Sequence, residues 1–337
     1  MVVLLLFKAG WLTTGPGPKI RTWPTPSAVI AGFMLALTIG SVGASAQPAT
    51  SENLTGTVAC DDWRLFPDAD FVRFSDTLES LDLCIAYEPF QAGGIEWRLL
   101  RLQRSPTIPP SAPLVVVLHD DEDAALAGAL GLLALRDVQV VTLDANEQRL
   151  WNGVDPNRMF VAQGAVVSAC PHLQHLDHRF AATLLRDWDG QSPVVSLHSN
   201  APGYLGDGEN GRGSISMLSL KPHQHAYPAS LRAEPSEIDT RLSDPDNLIY
   251  ITGPTPLPGE QQSALIPDLQ ARGLNVLYSR INPLSQDCSL SDFLTLAGQS
   301  ALYFNIEVKE GDTAVALTMT RRLMRAIDQH IPATDRP

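Results

Sequence analysis

The chain has 337 residues, with 24 Lys and Arg against 37 Asp and Glu, which gives a formal net charge of −13. Hydrophobic residues make up 44% and charged residues 18%, so the chain can build an apolar core and is not largely disordered. The acidic balance argues against a nucleic-acid-binding protein, whose binding surface is normally basic. The length suits one elaborated domain better than several independent modules.

The N-terminal segment has the parts of a cleavable export signal. Residues 1–46 contain three basic residues, no carboxylate, an apolar run over 28–40 and an Ala-Ser-Ala sequence ending at Ala46. A basic start, an apolar stretch and a small-residue cleavage site are typical of a secretory signal peptide, and a retained membrane anchor is the alternative. We expect cleavage after Ala46, which gives a secreted or periplasmic chain without stable membrane insertion. Losing three positive charges changes its net charge from −13 to −16.

The cysteines fit an exported protein. There are four of them, and all lie beyond the expected cleavage site: Cys60, Cys84, Cys170 and Cys288. In an oxidising compartment an even number of cysteines favours disulfides, here two. Three pairings are possible, and we favour Cys60–Cys84, which closes a local loop, together with Cys170–Cys288. A cysteine-based zinc site is disfavoured because no C-x-x-C pair is present.

The mature chain divides into an N-terminal extension with a first strand, residues 47–110, and a main domain, residues 111–337. Within the extension, residues 47–92 are polar and mixed in character. Strands are expected at Ile95–Gln103, Leu114–Leu118, Val138–Leu143, Val194–Leu197, Leu248–Thr252, Leu274–Tyr278 and Ala301–Ile306. Helices are expected at Glu122–Leu135, Glu260–Arg272 and Asp312–Gln329. Short apolar strands alternating with helices predict an α/β fold, with a mostly parallel, doubly wound mixed sheet and helices on both faces.

Three predicted strands lead directly into side chains that can do chemistry. His119, His198 and Glu307 each follow an apolar strand, and Glu122 lies three residues after His119. Ligands of open α/β sheets bind beyond the carboxyl ends of the strands, so these side chains are expected to meet. Two histidines and one glutamate form a set that can hold zinc and leave a position open, as catalytic zinc requires. The alternative for each histidine alone is a packed structural role.

A fourth segment makes the pattern more specific. Residues 149–160 read Arg-Leu-Trp-Asn-Gly-Val-Asp-Pro-Asn-Arg-Met-Phe. Together with the H-x-x-E pair, the later strand ending in histidine and the glutamate near the C-terminal strand, this order resembles the zinc carboxypeptidases, the carboxypeptidase A-like metallopeptidases. The resemblance covers residues 114–311 and is nearest to the family's compact bacterial branch. It implies that residues 111–337 form a zinc carboxypeptidase-like catalytic domain.

The resemblance also implies roles for single residues. Zn²⁺ is expected as the cofactor, and its implied ligands are His119, Glu122 and His198. Asp155 matches the carboxylate that orients a ligand histidine, and Arg149 matches, more loosely, an arginine that polarises the scissile carbonyl. Asn157 and Arg158 match the pair that binds the terminal carboxylate of the substrate, and the alternative for Arg158 is a structural pairing with Asp155. Glu307 matches the general base, with Glu310 as the alternative if the strand register differs.

The expected function is therefore an exported zinc metallopeptidase that hydrolyses an amide bond next to a free carboxylate. Small peptides or the peptides of the cell wall are the expected substrates, and no nucleic-acid partner is expected. A zinc-dependent deacylase of N-acyl amino acids, similar to succinylglutamate desuccinylase and aspartoacylase, is the first alternative. It stays open because Pro156 and Met159 depart from the digestive carboxypeptidases and only 76 positions separate Glu122 from His198. A binding protein of the same fold without catalysis is the second. The aromatic residue that usually covers the substrate is not identified, with Tyr204, Tyr227 and Tyr250 as candidates.

Overall fold

The computed structural model describes residues 60–66, 68–109, 111–162, 170, 177–200, 215–229, 233 and 239–331. The expected signal segment and its cleavage site lie outside the described residues, as does Tyr204. Among the described helices, none is long and apolar enough to cross a membrane.

Seven α-helices, nine strands and several short 3₁₀-helices make up the regular structure of the described residues. The strands are β1 (Cys84–Ala92), β2 (Ile95–Gln103), β3 (Leu114–Val117), β4 (Gln139–Leu143), β5 (Val194–Asn200), β6 (Gln224–Tyr227), β7 (Leu248–Gly253), β8 (Asn275–Arg280) and β9 (Tyr303–Lys309). The helices are α1 (Ala69–Arg73), α2 (Ser75–Leu81), α3 (Asp123–Leu133), α4 (Arg179–Leu184), α5 (Glu260–Ala271), α6 (Leu290–Leu296) and α7 (Thr313–His330).

All nine strands join one sheet in the order β1-β2-β4-β3-β5-β9-β7-β8-β6. The four neighbouring strands β4, β3, β5 and β9 run parallel, and β7 and β8 are parallel to each other. The contacts of β1 with β2, β2 with β4, β9 with β7 and β8 with β6 are antiparallel. Half of the eight described pairings are therefore parallel, which is fewer than the mostly parallel sheet expected from the sequence, because antiparallel strands are added at both margins and at the contact of β9 with β7. The parallel pairings include the strands that precede or carry the candidate site residues.

Helices cover both faces of the sheet, as the sequence predicts. In β3, Val115 and Val117 pack into a core built with residues of α3, α5 and α7. The alternate residues Leu114 and Val116 pack into a second core, to which α4 and α6 contribute. Because successive strand residues point to opposite faces, an apolar run such as this one has to be covered on both sides. The predicted mixed α/β fold with helices on both faces is confirmed.

Several elements were not anticipated. Strand β1 lies in the segment 47–92, which is polar and mixed in sequence and for which no strand was predicted, and it contains Glu88 and Pro89. Proline is tolerated there because β1 is an edge strand of the sheet. The short helices α1, α2, α4 and α6 and the edge strand β6 are also additions. With five to seven residues each, these helices have too little periodicity to stand out in the sequence.

Both expected disulfides are present. Cys60 is bonded to Cys84 at the start of β1, and Cys170 is bonded to Cys288 just before α6. No free cysteine remains among the described residues. The first bridge fastens residue 60 to the edge of the sheet, and the second links two segments that are 118 positions apart in the sequence.

Candidate metal centre

The turn between β3 and α3 brings His119 and Glu122 together. The amide of Glu122 donates to the carbonyl of His119 at 3.3 Å, and α3 begins at the next residue. Nδ1 of His119 then lies 2.9 Å from Oε1 of Glu122, and both side chains are buried. A carboxylate at this position also benefits from the positive end of the helix dipole. A three-residue spacing across a strand–helix junction therefore directs both groups to one point.

His198 completes the group from the neighbouring strand. It lies near the end of β5, and its Nδ1 is 3.2 Å from Nδ1 of His119 and 3.2 Å from Oε2 of Glu122. Ligands held tetrahedrally at about 2.0–2.2 Å from zinc are roughly 3.4 Å apart, so the three donors lie at nearly the required spacing. Two imidazole nitrogens and one carboxylate also match the donor types of catalytic zinc sites. The residues therefore fit the ion that the sequence motifs imply.

The second nitrogen of each histidine is also engaged. Nε2 of His119 lies 2.9 Å from Oδ1 of Asp155, and Nε2 of His198 lies 3.1 Å from the hydroxyl of Ser196. Because a carboxylate only accepts hydrogen bonds, Nε2 of His119 carries the proton and donates it. With these bonds, Nδ1 of both rings faces the centre of the group, which is the usual role of the outer partners of metal ligands.

The opposite charges in the group stabilise one another's ionised forms. Burial opposes ionisation of Glu122, but His119 and His198 outweigh it and hold the pKa of this carboxyl well below its ordinary value. Burial likewise lowers the pKa of His119, but Glu122 and Asp155 raise it to about 9. Asp155 is also partly buried, yet its hydrogen bond to His119 and the nearby Arg158 lower its pKa to about 2. A metal ion would have to displace the proton on Nδ1 of His119, because only the neutral nitrogen ligates.

Glu307 lies beside this group. It is part of β9 and pairs with His198 across the parallel strands. It is 5% exposed, whereas Glu310 follows the strand and is exposed, so Glu307 is the glutamate in the site. Burial raises the pKa of Glu307, the charge of Glu122 adds to the rise, and His198 offsets part of it. A raised carboxyl pKa brings the group closer to the range that suits a general base.

Arg149 reaches the group from the segment just before a tight turn. Asn152 and Gly153 both have positive φ, and the residues on either side of them, Trp151 and Val154, exchange two backbone hydrogen bonds of 3.0 Å. An Asn-Gly pair is favoured at such a two-residue turn because both positions need a left-handed backbone. Nη1 of Arg149 donates to Oε1 of Glu122 at 2.6 Å. Arg149 is thus at the site, as the sequence predicts, and its guanidinium neutralises part of the negative charge of the site.

Asn157 and Arg158 follow Asp155 in a single turn of 3₁₀-helix. Oδ1 of Asn157 accepts a hydrogen bond of 3.0 Å from the amide of Leu290 at the start of α6, which leaves its NH₂ group as the donor for a ligand. The guanidinium of Arg158 donates to the carbonyl of Asn157 at 2.8 Å and lies 3.5 Å from the carboxylate of Asp287. Among the described residues, the ion-pair partner of Arg158 is Asp287. Asp155, the structural partner considered as the alternative, is hydrogen-bonded to His119.

Three further polar residues of the site were not predicted. Ser196 and Asn305 lie two positions before His198 and Glu307, and Asp287 pairs with Arg158. A spacing of two within a strand places side chains on the same face, so the sequence could have indicated the first two. Of the tyrosine candidates, Tyr250 is buried on β7 opposite Asn305, whereas Tyr227 lies on the edge strand β6.

The chain is similar to known proteins in its structure, whereas the comparisons of its sequence found no match. The sequence matches no protein-family model. No curated protein matches it either. A protein from Shewanella amazonensis SB2B, provisionally described as a metallopeptidase, is 15% identical with a TM-score of 0.43, and the match covers 78% of this chain and 92% of that one. A metallo-carboxypeptidase from Burkholderia cenocepacia is 12% identical, with a TM-score of 0.41 and coverage of 77% and 69%. A metallo-carboxypeptidase from Pseudomonas aeruginosa is 14% identical, with a TM-score of 0.38 and coverage of 78% and 69%.

The chain is similar to metallo-carboxypeptidases. Likeness at this level of identity does not decide which reaction the chain performs.

Proposed function

We propose that the protein is a zinc-dependent hydrolase that cleaves an amide bond next to a free carboxylate. The observation that supports it is the convergence of Nδ1 of His119, Nδ1 of His198 and the Glu122 carboxylate, with all their ligand atoms within 4.8 Å of one another. Glu307, a buried carboxyl group with a raised pKa, lies beside this donor set. A metal site with an adjacent base is the arrangement that metal-assisted hydrolysis requires.

Each residue has a chemical task in this proposal. Zinc, when bound, supplies a Lewis acid that makes water more acidic and polarises a carbonyl oxygen. Glu307 takes a proton from water as the water attacks the amide carbonyl, and it returns this proton to the amide nitrogen as the carbon–nitrogen bond breaks and the amine leaves. Arg149 donates hydrogen bonds to the carbonyl oxygen as negative charge develops on it, which is the largest single term in many such reactions. Asp155 holds the ring of His119 in place throughout.

A free carboxylate on the substrate is the feature that Arg158 is suited to recognise. A guanidinium can bind a carboxylate with two parallel hydrogen bonds. Arg158 is 31% exposed at its side chain, so it can meet a ligand, and Asn157 precedes it in the same turn of 3₁₀-helix. Small peptides, including those of the cell wall, are the substrates we propose. An N-acyl amino acid carries the same carboxylate, so a deacylase that uses the same residues is the second candidate.

The deciding experiment compares substrates on the purified, zinc-loaded chain. We expect hydrolysis of C-terminal dipeptides with a free carboxylate, slower hydrolysis of their amidated forms, and loss of turnover in Glu307→Gln with zinc still bound. Turnover of N-acyl amino acids but not of peptides would favour the deacylase. Zinc binding without hydrolysis of either class would contradict an enzyme and favour a binding protein.

We also propose that the protein acts outside the cytoplasm, after removal of residues 1–46. Two disulfides are typical of proteins that fold in an oxidising compartment. N-terminal sequencing of the protein recovered from its native compartment should begin at Gln47. An uncleaved N-terminus on a membrane-bound protein would contradict the proposal and favour a retained anchor.

A further inference from the structure

Strands β5 and β9 carry a second pair of facing residues, Ser196 and Asn305, next to the pair formed by His198 and Glu307. Ser196 pairs with Asn305 across β5 and β9, two residues before His198 pairs with Glu307. Residues two apart in a strand point to the same face of the sheet. The polar side chain of Asn305 therefore lies on the same face of the sheet as Glu307, two residues before it in β9.

The amide of Asn305 is bonded to one oxygen of the Glu307 carboxylate. Nδ2 of Asn305 donates to Oε1 of Glu307 at 2.9 Å, and both residues are buried. Within the described part of the chain, the other oxygen, Oε2, accepts no hydrogen bond. Rotation about the last torsion of a glutamate side chain is weakly restricted on its own, so a donor fixed to one oxygen sets the plane in which the other oxygen lies.

The side-chain carbonyl of Asn305 indicates that the stability of the folded chain does not explain why an asparagine occupies this position. Its Oδ1 is buried and has no hydrogen-bond partner among the described residues. An unpaired buried amide oxygen destabilises the folded state. Asn275 on β8 provides the contrast, because its Oδ1 accepts from the amide of Ala229 while its Nδ2 donates to backbone carbonyls.

We propose that Asn305 is a positioning residue for the hydrolysis assigned to this site, an inference that rests on the proposed function. Asn305 holds the Glu307 carboxylate in one orientation, with Oε1 occupied and Oε2 kept for proton transfer. Without this donor the carboxylate rotates among several orientations, and only some of them suit proton transfer. Substrate binding depends on other groups and stays intact, so the effect falls on kcat and not on KM.

The test compares Asn305→Ala with the matched substitution Asn275→Ala on the zinc-loaded, full chain. We expect kcat of Asn305→Ala to fall about 10- to 100-fold, with KM and zinc content unchanged. Asn275→Ala should lower the melting temperature and leave kcat of the folded enzyme as in wild type. Asn305→Ser, whose hydroxyl is too short to reach Oε1, should repeat the loss of kcat and replaces the alanine variant if that variant does not fold.

The remaining outcomes overturn the inference, each for a different reason. A kcat within twofold of wild type in both Asn305 variants overturns the inference. Loss of zinc or of the folded state in both variants also overturns it, because Asn305 is then a structural residue. An inactive wild type, or full turnover in Glu307→Gln, removes the proposed function and this inference with it.

Discussion

Asp155 gives the most direct residue-scale prediction about the metal centre. Its carboxylate accepts the Nε2 hydrogen of His119 at 2.9 Å and so turns Nδ1 towards the donor group. Removing such an outer partner typically weakens metal affinity by about 10- to 100-fold. We therefore expect Asp155→Ala to bind zinc 10- to 100-fold more weakly, measured by competition with a chelator of known affinity. An exposed carboxylate serves as control, and Asp328→Ala should bind zinc as wild type does. Equal zinc affinity in Asp155→Ala would refute the orienting role.

The role of Arg158 is tested at the same scale. If its guanidinium binds the terminal carboxylate, Arg158→Ala loses a charge-assisted contact of about 1.5–3 kcal/mol. This corresponds to roughly 10- to 100-fold in kcat/KM on substrates with a free carboxylate, with little change on amidated ones. Arg158→Lys should restore only part of the loss, because an ammonium cannot form the paired hydrogen bonds. Equal discrimination between the two substrate forms in wild type and variant would argue against carboxylate recognition.

The sequence could indicate those site residues whose position follows from a local rule. His119 and Glu122 share one turn, and His198 and Glu307 lie at the ends of buried strands, so strand prediction alone brings them to one edge. Asp287 could not be found this way, because its pairing with Arg158 depends on how the segment before α6 packs against residues 155–160. Contacts between segments so distant in sequence are fixed by tertiary packing.

At the scale of elements, the disulfides differ in how much of the chain they constrain. Cys60–Cys84 spans 24 positions and Cys170–Cys288 spans 118. Loop-closure entropy predicts a stabilisation of about 3.5 kcal/mol for the shorter loop and about 5 kcal/mol for the longer one. Replacing both cysteines of one pair by serine should lower the free energy of unfolding by about these amounts, measured by denaturant titration. Wild type with both bridges reduced is the control and should be less stable than either variant. Unchanged stability in either variant would contradict this account.

The prediction of elements succeeded where the hydrophobic pattern has a clear period and failed at the margins of the sheet. Strand β2 has the bounds that the sequence suggested, and α5 continues through Pro267 as expected. Strand β5 extends beyond its apolar run and includes His198, and β9 likewise includes Glu307. Both residues were expected just after their strands. A strand that carries a buried site holds polar residues inside the ladder, and these residues interrupt the hydrophobic pattern from which the end of a strand is predicted.

At the scale of the whole molecule, the acidic charge makes stability depend on pH. Asp70 lies in a group of carboxylates with Asp123 and Glu147, joined by Arg73. Burial raises the pKa of Asp70 to about 8, and neighbouring carboxylates, with Asp120 first among them, add to the rise. In the unfolded chain the same group releases its proton near its ordinary value of 3.8. Between these values only the folded chain holds the proton, so the contribution of Asp70 to stability falls as pH rises.

The variant Asp70→Asn mimics the protonated group at every pH. We expect its melting temperature to exceed that of wild type by a larger margin at pH 9 than at pH 5, as measured by calorimetry at both values. Asp328→Asn, which removes an exposed partner of Arg136, should show no such widening gap. A constant difference between Asp70→Asn and wild type across this range would contradict the raised pKa.

The metal centre made by His119, Glu122 and His198 is the central claim, and its most direct test is anomalous diffraction at the zinc edge. Crystals of the zinc-reconstituted chain should give one full-occupancy peak about 2.0–2.2 Å from Nδ1 of both histidines and from the Glu122 carboxylate. In His198→Ala the same experiment should give no full-occupancy peak at this position. A zinc peak bound elsewhere in wild type, or full occupancy retained in His198→Ala, would contradict the assignment.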